Sequence, residues 1–150
     1  MYHSIVRRNV IKLFEALNHG DVDYVVSGMA QRFEHIFPGD HTLGGVRHTR
    51  PSIRVWFERL FRVLPGIRFK IKNIGVSGWP WATTVVVEWR DFATLADGTP
   101  YVNDGAHAIQ IRWGKVVVLH AYLDTQIMVD AMRAMAAAGV AEAMAPKIED

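Results

Sequence analysis

Residues 116–125 read VVVLHAYLDT. Four apolar residues run into a histidine, a tyrosine and then an aspartate. Side chains alternate between the two faces of a strand. One face here carries Val116, Val118, His120, Tyr122 and Asp124, and the other Val117, Leu119, Ala121 and Leu123. Both faces are apolar, so each needs a cover. Such a strand belongs in a sheet with helices on one face and another partner on the other. The closing Asp124 has two readings. It can cap the helix that follows, as Thr125 also can, or it can point into a sheltered pocket.

The same period of two extends upstream. Ile67, Phe69 and Ile71 alternate with Arg68, Lys70 and Lys72, and ATTVVVEWRDF (82–92) and YVNDGAHAIQIRW (101–113) read as two further strands. The breaks between them are short: SGWPW at 77–81, TLADGTP at 94–100 and Gly114. Short links between long strands imply hairpins in a meander. Parity groups Val85, Val87, Trp89 and Asp91 on one face, with Arg90 and Phe92 opposite. It also groups Tyr101, Asn103, His107, Ile109, Ile111 and Trp113.

Before residue 65 the period is helical. Ile5, Val6, Val10, Leu13, Phe14 and Leu17 form one stripe, which NHGD at 18–21 stops. Asp21 caps a second, short helix. AQRFEHIF (30–37) alternates at Phe33, His35 and Phe37 as a short strand, and PGDHTLGGVRHTRP (38–51) reads as loop. A third helix starts near Pro51 or Ser52, with Ile53, Trp56, Phe57, Leu60, Phe61 and Leu64 on its apolar face. A last helix runs from Thr125 to about Met135. Helices segregate from an antiparallel run, which defines an α+β domain. Residues 1–137 are expected to form a single domain and 138–150 a C-terminal tail.

Composition excludes several classes. Seventeen Lys and Arg against 15 Asp and Glu leave a net charge of only +2, and the basic residues are scattered, so nucleic acid is not an expected partner. The chain has no cysteine, which excludes disulfides, zinc–thiolate sites and cysteine nucleophiles. No run approaches about 18 apolar residues, and the N-terminus lacks the apolar core of a signal peptide. A cytoplasmic protein without a membrane partner is expected. The histidines, at 3, 19, 35, 41, 48, 107 and 120, lack metal-ligand spacing. No metal and no cofactor are expected. Trp79 and Trp81 flank Pro80 between two strands, where they can wall a cavity mouth or seal a dimer edge.

Four segments together resemble the nuclear transport factor 2-like superfamily, in its SnoaL-like, ketosteroid isomerase-like branch: FPGDHTLGG (37–45) followed by SIRVWFERLF (52–61), DGTPYVN (97–103) and GKVVVLHAYLDT (114–125). The resemblance covers about residues 5–137. It implies a cystatin-like α+β barrel, a cone of strongly curved antiparallel sheet packed on the N-terminal helices around a ligand cavity. It also implies a homodimer through the sheet. The family includes ketosteroid isomerase, scytalone dehydratase, polyketide cyclases and limonene epoxide hydrolase, along with binding and transport modules that do no chemistry. Phe37 stands where isomerase-like members place a general base, ahead of Pro38. Asp91 and Asp124 stand at the two aspartate positions of epoxide hydrolase-like members, with Trp89 in place of the arginine two residues before the first. Asp124 also matches the acid/base aspartate of SnoaL-like cyclases, with His107 or His120 as helper.

The expectation is an enzyme of the isomerase, cyclase, dehydratase or hydrolase type, acting on a small hydrophobic molecule by proton transfer, without a cofactor. Its acid/base set would be Asp124, His120, His107 and Asp91, and Tyr122, Trp89, Trp56, Phe37 and His35 would line the ligand. The alternative is a non-catalytic binding or interaction module of the same fold.

Overall fold

The computed structural model describes all 150 residues. Helix α1 (Tyr2–Asn18) buries Val6, Val10, Phe14 and Leu17, a three-to-four residue spacing that keeps one stripe inward. Helix α2 (Val22–Ser27) opens on Asp21, whose side chain accepts from the amide of Tyr24. Strands β1 (Met29–Phe37) and β2 (Gly45–Thr49) follow, then α3 (Arg50–Val63) with Pro51 in its first turn. Strands β3 (Arg68–Trp79), β4 (Ala82–Thr94), β5 (Pro100–Arg112) and β6 (Lys115–Leu123) form the meander, and α4 (Thr125–Ala137) closes it. A 3₁₀ turn, Ala141–Met144, lies in the tail.

The six strands form one sheet in the order β2-β1-β6-β5-β4-β3. The sheet is mixed rather than wholly antiparallel, because β1 runs parallel to β6. Register shifts interrupt β1, β3 and the β5–β6 pairing, and such bulges bend a sheet. The helices fill its concave side. Asn18 clamps α1 to β3 by exchanging side-chain hydrogen bonds with the N–H and C=O of Phe69, at 2.6 and 3.0 Å. Together the inner faces and helix stripes make one core that includes Phe14, Ile53, Trp56, Val85, Val87, Ile109 and Met132. No helix is long and apolar enough to cross a membrane.

Two features depart from the sequence reading, and the tail adds a third observation. The segment read as loop contains β2, an edge strand paired with β1 through His35–Arg47 and Ile36–Val46. The face of β6 turned to the core is the one with Leu119 and Ala121, while His120 is half-buried and Tyr122 exposed on the outside. The tail lies ordered against α3 and β2. Glu142 pairs with Arg62 at 2.6 Å and Arg59 at 3.3 Å, Arg47 donates to the carbonyl of Ile148 at 2.6 Å, and Asp150 accepts from the amide of His48 at 2.7 Å.

Candidate active site

Between the sheet and the helices lies a chamber with mostly apolar walls. Helix α1 contributes Leu13, Phe14 and Leu17, α3 contributes Trp56, Phe57 and Leu60, and α4 contributes Met128. The sheet supplies Phe37, Phe69, Trp89 and Leu119, and with them three ionisable side chains: His35 from β1, Asp91 from β4 and His107 from β5. The void is small. Its free volume is about 30 Å³, which is room for a water or two.

Each imidazole is held by a donor that cannot accept. Arg47 Nε donates to His35 Nδ1 at 2.9 Å, and Trp89 Nε1 donates to His107 Nδ1 at 2.8 Å. In a neutral ring the proton must then sit on Nε2. Burial lowers the pKa of His107 to about 4, with a further push from the charge of His120. Burial, then Arg47, then His107 hold His35 well below its ordinary value. Both rings are therefore neutral at pH 7, with the tautomer fixed from behind.

Asp91 is the opposite case. It is 3 % exposed, and burial raises its carboxyl to about 7, against backbone N–H groups of Asp91 and Asn103 that favour the anion. Its Oδ1 has no hydrogen-bond partner. A buried oxygen left unpaired is costly, and one that borders a cavity is available to a ligand.

Surrounding groups keep this set in place. His35 meets Trp56 edge-on at 4.5 Å, and Trp56 Nε1 donates to the Leu43 carbonyl at 2.7 Å. Arg47 is wholly buried. It also donates to the carbonyls of Gly44, Gly45 and Ile148, and its guanidinium stacks over Trp56 at 5.2 Å. Trp89 lies across Gly105, where an added Cβ would come within 2.6 Å of the indole.

Of the residues the sequence singled out, His107, Asp91, Trp89, Trp56, Phe37 and His35 line the chamber. Asp124, His120 and Tyr122 do not. Asp124 Oδ1 accepts from the amides of Gln126 and Ile127 at 3.0 and 3.3 Å, the capping alternative. His120 and Tyr122 stack on each other at 4.1 Å on the outer face. Parity grouped these three together, but it could not say which face of a doubly apolar strand would be covered. Arg47 is the functional neighbour that sequence reasoning missed. Its only signal is its place two residues before Thr49 in a segment rich in Gly, and the pairing with His35 depends on strand register. No group of three or more His, Asp or Glu side chains is arranged to hold a metal ion.

The SnoaL-like domain profile matches residues 10–119, and the chain belongs to that family. Solved structures share the fold. One is an NTF2-like protein of unknown function from Burkholderia pseudomallei, 21% identical, with a TM-score of 0.73 over 83% of this chain and 95% of that one. Another is TerC, co-crystallised with polyporic acid, 22% identical, with a TM-score of 0.71 over 81% and 93%. A putative SnoaL-like polyketide cyclase from Jannaschia sp. is 18% identical, with a TM-score of 0.68 over 87% and 90%. No curated protein matches the chain in sequence.

Proposed function

We propose that the chain is an acid/base enzyme of the isomerase or cyclase type, acting without a cofactor on a small hydrophobic molecule in this chamber. The observation that carries the reading is Asp91: a buried carboxyl, raised to about 7, with an unpartnered oxygen on a cavity that also holds two neutral imidazoles. Asp91 removes a proton from a carbon next to a carbonyl and returns it elsewhere. A carboxyl group balanced near neutral pH suits that exchange and contributes roughly 10²–10⁴ in rate. His35 and His107 present Nε2–H to the oxygen that gains charge, in a dry site where such donors count for most. Trp89 and Arg47 are positioning residues behind them. Asp124 stays the helix cap. Likeness to a putative polyketide cyclase and to a protein crystallised with polyporic acid supports a small-molecule ligand. The reading includes a cytoplasmic setting, compatible with a chain free of cysteine. It also includes a homodimer through the outer face of the sheet, which exposes Val86, Phe92, Val102 and Tyr122.

A set of hydrophobic ketones incubated in deuterated buffer tests the chemistry. Deuterium enters the carbon beside the carbonyl faster than in buffer for at least one of them, and Asp91→Asn abolishes the excess. No excess with any ketone, while a hydrophobic dye still binds wild type and variant alike, would favour the second reading, a non-catalytic binding module. The narrowness of the void is the observation on its side, because a ligand larger than water must push side chains apart to enter.

A further inference from the structure

The turn between β3 and β4 carries Trp79, Pro80 and Trp81, and the turn between β5 and β6 carries Trp113. These three indoles are 63%, 55% and 74% exposed. They form one cluster, with Trp79 stacked on Trp81 at 6.2 Å and Trp81 beside Trp113 at 6.3 Å. The Trp113 amide donates to the Pro80 carbonyl at 2.7 Å, tying the two tips together. Nothing in the core needs these rings. Trp56 and Trp89, by contrast, are buried.

Trp113 is moreover the one non-glycine residue with a positive φ, at 50°. An L-residue with a side chain is strained in that region, and Asn or Gly normally fills such a hairpin turn. A large apolar ring held exposed on a strained backbone is a feature that stability does not explain.

The charge around the cluster is predominantly basic. Residues 1–14, 75–87 and 108–118 contain no Asp or Glu; α2 and β1, which meet Lys115, Val116 and Val118, add Asp23 and Glu34 on one flank. The same three stretches contain Arg7, Arg8, Lys12, Arg112 and Lys115, all exposed. The α1 end lies here too, since His3 Nε2 bonds the Gly78 carbonyl at 2.8 Å. Two copies of a net-cationic end repel each other, which argues against a self-contact. Single-stranded nucleic acid stacks its bases along a basic groove, whereas these indoles cap two turn tips.

We propose that the Trp79–Trp81–Trp113 tip is a peripheral docking surface for an anionic lipid bilayer. Indoles settle at headgroup depth, where an apolar body and a wet N–H are both satisfied. The flanking Arg and Lys residues are drawn to anionic headgroups within a Debye length. This departs from the expectation of no membrane partner, yet needs no spanning segment. It is independent of the chemistry in the chamber.

Vesicles of phosphatidylcholine with and without phosphatidylserine test it, by co-sedimentation and tryptophan fluorescence with brominated lipids. Full-length protein binds the anionic vesicles, its emission shifts to the blue, and shallow bromines quench it. High salt weakens the binding, and neutral vesicles bind less. Trp113→Asn lowers partitioning by about tenfold while the melting temperature holds or rises, because Asn suits the turn. Trp79→Ser with Trp81→Ser does the same to binding. The proposal is overturned by anionic vesicles that neither bind nor quench, or by binding that Trp113→Asn leaves intact. It is equally overturned if the cluster's loss instead abolishes binding to a single-stranded oligonucleotide or splits a dimer.

Discussion

At the scale of single residues, the chamber works by setting two kinds of group against their solution habits. Burial disfavours charge whichever sign it has. It keeps Asp91 protonated to about 7 and His107 neutral down to about 4. Replacing Asp91 by Asn keeps the shape and removes the titration. At pH above the Asp91 value the wild type must hold a buried anion, so the variant is expected to be more stable there by about 1–3 kcal/mol. It is also expected to lose about 10²–10⁴ in rate on any substrate that the deuterium assay finds. Gain in melting temperature with loss of activity is the pattern that marks a functional carboxyl. Trp89→Phe keeps the wall but removes the donor to His107 Nδ1. Imidazole nitrogen shifts in NMR should then show His107 sampling both tautomers, and kcat should fall more than KM. An unchanged tautomer would mean that something other than Trp89 fixes the ring.

At the scale of elements, the tail and β2 form a brace behind His35. Arg47 joins them through carbonyls on both sides and through His35 Nδ1. Arg47→Met removes every one of these donors at once. Each buried acceptor left unpaired costs about 1–3 kcal/mol. The melting temperature should drop accordingly, and hydrogen exchange should speed up in β2 and 141–150 before the rest of the sheet. Uniform exchange across the sheet would show the brace to be no separate unit. This element also marks where sequence reading stops. Helices α1 and α3 were legible because their buried residues repeat at helical spacing, and β3 to β6 because hairpin punctuation separates long alternating runs. Strand β2 was not. It is five residues in a segment rich in Gly and Pro, and its pairing with β1 is decided by register. The site divides in the same way. Parity put Trp89 with Asp91 and gave His35 and His107 inward strands. It failed at β6, where both faces are apolar and a register shift between Gln110 and Ile111 intervenes.

At the scale of the whole molecule, the outer sheet face and the chamber make separate demands. The outer face places Val86 opposite Ala108 and Ala108 opposite His120, with Tyr122 in the next row opposite Ala106. If two copies meet there, Val86→Lys yields a monomer by light scattering without disturbing Asp91. The chamber sets the pH window. His107, lowered to about 4 from 6.5, and His35, also lowered, contribute stability that is full above 6.5 and lost as pH falls through the folded values. Asp91, raised from 3.8 to about 7, contributes stability that is full below 3.8 and lost as pH rises through about 7. Between these limits the two histidines outweigh the one carboxyl, so melting temperature rises with pH up to about 6.5. Above that only Asp91 still titrates, and the curve turns down before flattening. Asp91→Asn should erase the downturn and leave the acid limb. His107→Gln should do the reverse, making the acid limb shallower and leaving the downturn. If both variants kept the wild-type profile, neither buried group would be titrating in the chamber, and Asp91 would lose its claim to be the base.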